Sequence, residues 1–330
     1  MAKRIPDLAR PEESVRLVAH PDDDGMRLDC FLKKRFARIS RSKFQVYIDA
    51  GRARINGRVA KSHSPVREDN TVVVDWPLLR GIPADPAKMR FEILQETDDI
   101  VVINKPPGLV VHPAGKHRYD TLMNALATNH PEGFESDEGT WRLLHRLDKD
   151  TSGLVLVAKG LAAKRELQPL FEERRIEKEY LAIVEGDVRG REGVIRLPIG
   201  HDRPVRGGVR MKIDHVEGKP AETAWEAIER FEGFALVAAR PKTGRQHQIR
   251  IHLAAALGTP IVGDVLYGGR RTLSAEDLGL PARDSPLLAR QALHCRRMSF
   301  VHPRTQSRTE FTAALPADFA AALEALRAMT

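Results

Sequence analysis

Long apolar runs are missing from this chain. Purely aliphatic stretches such as Leu154 to Val157 last only a few residues. A membrane-spanning helix needs about 20, so no spanning helix and no membrane partner are expected. Cysteine is nearly absent. Cys30 and Cys295 are the whole complement, too few for a disulfide framework or a four-thiolate zinc site. Residues Met1 to Arg10 are charged and hold nothing like the apolar core of a secretory signal, so a cytoplasmic location is the expectation. The motifs of several chemistries are missing as well. There is no Gly-rich phosphate loop followed by Lys-Ser or Lys-Thr, no Gly-x-Gly-x-x-Gly after a strand, no Gly-x-Ser-x-Gly elbow and no His-Glu-x-x-His. His112 and His117 are five apart, as are His247 and His252. On a helix that spacing turns the rings to different faces, so no metal and no other cofactor is expected.

What is present is an ordinary globular composition, 330 residues with 42% apolar and 30% charged, enough for two domains of roughly 150 residues each. Lysine and arginine number 53 against 45 acids. The excess is local, because Arg27 to Arg58 holds ten basic residues against Asp29 and Asp49 alone. A block this basic points to a polyanion, most often nucleic acid, with a merely solvated face as the alternative.

Residues 1–15 are polar and aperiodic and read as a flexible tail. From Arg27 the pattern turns helical, with Leu28, Phe31, Leu32 and Phe36 on one stripe and Lys33, Lys34 and Arg38 off it. A second short helix follows, with Ser40 or Ser42 as N-cap, Phe44, Tyr47 and Ile48 inward and Gly51 as its stop. Arg52-Ala53-Arg54-Ile55, Asn56-Gly57 and Arg58-Val59 then form a hairpin signal, and Thr71 to Asp75 a closing strand. The module spans residues 16–80. Pro77, Gly81, Pro83 and Pro86 interrupt all periodicity, so 81–90 reads as a stiff linker. Residues 91–330 alternate strands (Ile100–Ile103, Leu154–Ala158, Tyr180–Val184, Ala235–Ala239) with helical stretches, an α+β domain around a large mixed sheet. Phe319, Leu323, Leu326 and Met329 read as a packing helix, and a monomer is expected.

The first module resembles the RNA-binding domain named after ribosomal small-subunit protein four. Arg27-Leu28-Asp29, Ser40-Arg41-Ser42 and Gly51 to Gly57 carry the likeness. It implies an RNA-facing surface built from the second helix and the hairpin, with Lys33, Lys34, Arg41, Lys43, Arg52, Arg54 and Arg58 as candidate contacts. Such contacts to phosphates position an RNA without reading its bases.

In the second domain, His145-Arg146-Leu147-Asp148-Lys149-Asp150-Thr151-Ser152-Gly153 precedes a strand with a buried pattern. Asp148 lies among His145, Arg146 and Lys149. An oriented carboxylate among positive charges can serve as a nucleophile or as an electrostatic stabiliser, and a structural cap and salt-bridge cluster is the competing reading. Further on, Thr243-Gly244-Arg245-Gln246-His247-Gln248-Ile249-Arg250 opens a helix whose buried stripe is Ile249, Leu253 and Leu257. Arg250 sits near the helix start, where it can reach back to Asp148. Tyr180, in Lys178-Glu179-Tyr180, is either core or a ring on which a base stacks.

At this point the chain resembles the RluA-type family of pseudouridine synthases over nearly all of residues 91–303. The blocks that match are His145 to Leu154, Asn104-Lys105-Pro106-Pro107-Gly108-Leu109 with Val111-His112-Pro113, Lys178 to Tyr180, Thr243 to Arg250, and Ala292-Leu293-His294 with His302-Pro303. The resemblance implies a mainly antiparallel sheet with a central cleft and an isomerase that detaches uracil, rotates it and rejoins it through carbon 5, without cofactor. Asp148 falls at the family's nucleophile position, acting on the ring or at the anomeric carbon. Tyr180 would stack on the base, Arg250 would hold Asp148 by a charge-assisted bond, and Arg146 and Arg245 fall at substrate-binding positions. Extruding the base costs a few kcal/mol, which RNA contacts elsewhere would offset. Large-subunit ribosomal RNA is the expected substrate, ahead of transfer RNA. Gln246 departs from the usual threonine or serine, whose hydroxyl could cap the helix carrying Arg250. Two other functions compete: a non-catalytic RNA-binding assembly factor, which an intact Asp148, Tyr180 and Arg250 argue against, and a glycosidase, which needs a second flanking carboxylate.

Overall fold

A computed structural model describes residues 14–36, 41–49, 51–75, 89–113, 117, 120–134, 139–202 and 210–329. They fall into two compact units. One runs up to Met89 and includes Pro113–Asn129; the other comprises Arg90–His112 and His130 onward.

In the first unit, strand β1 (Ser14–Val18) is followed by β2 (Met26–Arg27), helices α1 (Leu28–Arg35) and α2 (Arg41–Asp49), β3 (Ala53–Ile55), β4 (Arg58–Val59), β5 (Pro65–Val66) and β6 (Thr71–Asp75). Helix α3 (Leu122–Asn129) also belongs to it. The helical stripe is buried as its spacing requires. Leu28, Phe31, Leu32 and Phe36 of the α1 segment pack with Phe44 and Ile48 of α2 against Ala53, Val72 and Val74. Asn56 and Gly57 both take positive φ, 49° and 81°, the pair of conformations a two-residue hairpin turn demands.

Two expectations need correction. Ser14 and Val15, assigned to the tail, open β1, and Val15 is buried in the core. Strand β6, over the expected Thr71–Asp75, closes the module along the chain and pairs with β3. It lies inside the antiparallel order β1-β6-β3-β4, because β1 covers its second edge. Ser42 lies within α2 and so is not its cap; Ser40, Arg38 and the side chains of Tyr47 and Lys43 lie outside the described residues, as does most of the linker.

The second unit is built on one ten-stranded sheet. Its strands are β7 (Glu92–Glu96), β8 (Ile100–Lys105), β9 (Arg142–Leu143), β10 (Ser152–Ala158), β11 (Glu177–Glu185), β12 (Glu192–Ile195), β15 (Thr223–Phe231), β16 (Phe234–Pro241), β17 (Leu293–Val301) and β18 (Arg308–Thr312). The order is β12-β15-β16-β11-β17-β10-β8-β7, with β18 on β17 and β9 on β10. A separate hairpin pairs β13 (Ile199–His201) with β14 (Met211–Ile213). Helices α4 (Gly160–Glu172), α5 (Gln248–Leu257) and α6 (Ala317–Arg327) complete the unit. In α6, Phe319, Leu323 and Leu326 are buried and Met329, beyond its end, is exposed.

Among the described strands of this sheet, every pairing is antiparallel except β10 with β17, which run parallel over two residue pairs, Ser152↔His294 and Gly153↔Cys295. Parallel pairing puts the starts of both strands at the same end. The loop that enters β10, residues 144–151, therefore lies beside the segment that enters β17. Gly153 permits that approach, since a Cβ there would lie 2.2 Å from the Cys295 carbonyl oxygen.

Candidate active site

The loop entering β10 is tied down residue by residue. Lys105, at the end of β8 and with no exposed surface, donates its three ammonium hydrogens to the carbonyls of Pro106 (2.7 Å), Leu109 (2.9 Å) and Lys149 (2.9 Å). Burial pushes its pKa down to about 7, yet three carbonyls match all three donors of an ammonium. From the β17 side, Arg290 Nη1 donates to the Asp150 carbonyl at 3.2 Å, and Gln291 Nε2 to Thr151 Oγ1 at 2.7 Å. Arg290 is itself clamped by both oxygens of Asp318. Ser152 Oγ meets His294 Nδ1 at 3.0 Å, and burial brings that imidazole down to about 4, so it is neutral.

Asp148 stands in this loop with 27% of its side chain exposed. Arg250 reaches it from the first turns of α5: Nη1 donates to Asp148 Oδ2 at 2.9 Å. The rest of the guanidinium is committed to Asp264, with Nε to Oδ2 at 2.6 Å and Nη2 to Oδ1 at 2.8 Å. Burial opposes the charge on Arg250, and the two carboxylates more than offset it, so its pKa is raised. The Tyr267 ring lies under the guanidinium, 5.2 Å from its carbon. Tyr180 is 8% exposed on β11, its hydroxyl within hydrogen-bond reach of the Cys295 thiol. Burial, with the Asp148 charge adding to it, keeps the phenol neutral well above its ordinary range.

The structure thus brings Asp148, Arg250 and Tyr180 into one site. Arg146 is exposed two residues before Asp148, and Arg245 is half-buried just before α5, its Nε on the Pro220 carbonyl at 3.1 Å. His145 does not join the positive charges around Asp148. It stacks on Phe171, its Nε2 accepts the Leu156 N–H at 3.0 Å, and burial brings it down to about 3. The capping expectation at Gln246 also fails, because His247 is the N-cap and Gln246 lies before it. The residue that stitches this turn is Gln248. Its Oε1 accepts from Thr243 Oγ1 and the Arg245 N–H, and its Nε2 donates to the Glu222 carbonyl and Thr223 Oγ1. His247 and His252 part company, the first on Tyr267 and the second between Thr223 and Leu197. Asp264 and Tyr267 were missed in the sequence, although an acid and a tyrosine among three glycines in Gly263 to Gly269 mark a tight functional loop.

The basic face of the first unit is less free than its charge count suggests. Asp23 pairs with Lys34 and Arg35, Asp29 with Arg27 and Arg41, and Asp75 with Arg54. Asp23 and Asp75 lie outside the basic segment, so counting within it missed them. Arg58 is exposed, and Lys33 and Arg52 are half-buried. Burial alone would raise the carboxyls of Asp23 and Asp29. Lys34 and the His20 N–H on the first, and Arg27, Gln45 and Arg41 on the second, outweigh it and leave both lowered. A folded-state pKa below the unfolded value of about 3.9 stabilises fully above that pH and is lost as pH falls toward the folded value. Amide resonances of α1 in the whole chain should therefore hold from pH 7 to about 5 and be lost below about 4. In Asp29→Asn this unit should be less stable at pH 7 by about 1–2 kcal/mol; an unchanged acid transition in that variant would remove Asp29 from the account.

A lysine- and arginine-rich segment in one unit and, in the other, a mixed sheet that holds an arginine-gripped carboxylate fit a class, the enzymes that modify RNA. The model described as RNA pseudouridylate synthase matches residues 99–255, and that described as S4 domain matches residues 26–72. An uncharacterized RNA pseudouridine synthase of Bacillus subtilis is 34% identical, over 95% of this chain and 98% of its own. The ribosomal large subunit pseudouridine synthase D of Xanthomonas campestris is 36% identical, over 96% and 94%. The structure of human RNA pseudouridylate synthase domain containing 4 aligns with a TM-score of 0.56 at 28% identity, over 71% of this chain and 92% of that one. The chain belongs to the RluA-type family of RNA pseudouridine synthases. It is an isomerase of uridines in RNA.

Proposed function

We propose that this isomerase acts on large-subunit ribosomal RNA, with Asp148 as nucleophile, Tyr180 stacked on the extruded uracil and Arg250 holding Asp148. The observation that carries these roles is the Arg250 guanidinium. Asp264 occupies Nε and Nη2, so Nη1 meets Asp148 in a fixed direction at 2.9 Å. A carboxylate so oriented needs little reorganisation when it attacks. Arg146, exposed beside it, fills the space the extruded base leaves, and Arg245 contacts the substrate strand. The RNA class is supported by the names of several relatives, ribosomal large subunit pseudouridine synthase D among them, and by the S4 match. The working form is a monomer in the cytoplasm. The apolar face of α6 is consumed by packing within its own chain.

In the reaction the bond from the anomeric carbon to N1 breaks, a bond to carbon 5 forms, the carbon 5 proton leaves and N1 gains one. Tritium at carbon 5 therefore reports turnover directly. Release from labelled large-subunit RNA, with little from transfer RNA, is the expected result. Release from transfer RNA alone would overturn the substrate assignment and leave the isomerase intact.

A further inference from the structure

His247 is the N-cap of α5, and its backbone sits at φ 56°, ψ 20°. That left-handed conformation is uncommon for a residue with a side chain, costs of the order of 1 kcal/mol or more, and concentrates at functional sites. The ring it places is 11% exposed. Its Nδ1 lies 2.8 Å from the Tyr267 hydroxyl. That hydroxyl oxygen already accepts the Met211 N–H at 3.0 Å. The Asp148 carboxylate facing the other ring nitrogen favours the imidazole hydrogen on Nε2, which leaves Nδ1 to accept the Tyr267 hydroxyl hydrogen. Nε2 lies 3.8 Å from Asp148 Oδ2.

Both groups that reach Asp148 therefore meet the same oxygen, Arg250 Nη1 at 2.9 Å and His247 Nε2 at 3.8 Å. The charged groups that face His247 are Asp148, Asp264, Arg250 and Arg146, with Tyr267 edge-on to its ring. Burial keeps the imidazole below its ordinary value and so neutral at pH 7. A neutral donor suits this place, because a second full positive charge beside Arg250 would be repelled. The contact is longer than a hydrogen bond, as such contacts often are before substrate closes the site.

We propose that His247 is a positioning residue for Asp148. Through Nε2–H it fixes Oδ2 together with Arg250, so Oδ1 is the oxygen that attacks, and Tyr267 supports the tautomer that makes this donation available. The inference rests on the reading of Asp148 as nucleophile. It assigns His247 and Tyr267 no contact with the uridine.

The test is single-turnover tritium release by the full chain, using whichever RNA the wild type turns over, beside RNA affinity and thermal unfolding. His247→Gln should lower the rate about 100-fold with RNA affinity within about twofold. Tyr267→Phe keeps the ring under Arg250 and removes only the hydroxyl. It should lower the rate about tenfold, and adding it to His247→Gln should cause no further loss, since the hydroxyl acts only through the imidazole. Should His247→Gln fail to fold, Tyr267→Phe decides alone. Rates within twofold of wild type in both variants, with Asp148→Asn inactive, would overturn the positioning role and leave the nucleophile standing. An active Asp148→Asn would instead overturn the reading beneath it. A parallel fall in rate, affinity and melting temperature would reduce His247 to a structural cap.

Discussion

Asp148→Asn should release no measurable tritium from any RNA, a fall of at least about four orders of magnitude, as removal of a nucleophile commonly produces. The substitution is nearly isosteric. The amide oxygen can still accept from Arg250 Nη1, and the buried Arg250–Asp264 pair is untouched. Asp148 is 27% exposed, so no buried group loses a partner and stability should change by less than about 1 kcal/mol. What disappears is the negative charge, and with it the capacity to bond to an electrophilic carbon. RNA affinity should hold or rise slightly, since one anion is removed from a surface that meets phosphates. Activity within tenfold of wild type would remove Asp148 from the chemistry.

Gly153→Ala should be among the most damaging single methyls in the second unit. The backbone there is at φ +109°, and a Cβ would lie 2.2 Å from the Cys295 oxygen and 2.7 Å from its carbon and nitrogen. All three are backbone atoms inside a strand, so no flexible side chain can yield. Relief requires parting β10 from β17 at Gly153↔Cys295, half of the two-pair contact that joins them. A cost of about 4 kcal/mol or more is expected, which lowers the melting temperature by roughly 10 °C or prevents recovery of folded protein. Gly244→Ala, where nothing lies within 4 Å, should leave melting unchanged. Equal melting for the two variants would show that β10 and β17 can part without penalty.

The readable parts of the molecule were those decided by near neighbours. Leu28, Phe31, Leu32 and Phe36 share a face because a helix repeats every 3.6 residues, and Asn56-Gly57 turns because both residues tolerate positive φ. Arg250 could be aimed at Asp148 because a helix start fixes its direction. What could not be read came from groups that meet only after folding. Asp23 and Asp75 neutralise cations of the basic segment from outside it. His145 looks like a charge beside Asp148 until burial is known. The register between β11 and β17 skips Arg296, pairing Glu179 with Arg297 and Tyr180 with Cys295. That bulge puts Cys295 behind Tyr180 while Arg297 faces Glu179, and no alternation in the sequence announces it. The capping position fell one residue after 246, on His247, with no side-chain cap bond, and Gln248 instead ties together the turn before the helix.

The ties on the loop entering β10 also carry a timetable. Asp150, Thr151 and Ser152 are held by Arg290, Gln291 and His294, partners 140 to 142 residues further along. Contacts of such span close late, because the entropy of the intervening chain must be overcome first. A growing chain can carry Asp148 and Arg250 together and still lack the segment that fastens the aspartate's loop. Competence for chemistry therefore waits for residues 290–294, which are made after the residues of the first unit. An unfinished chain can meet RNA before it can alter it.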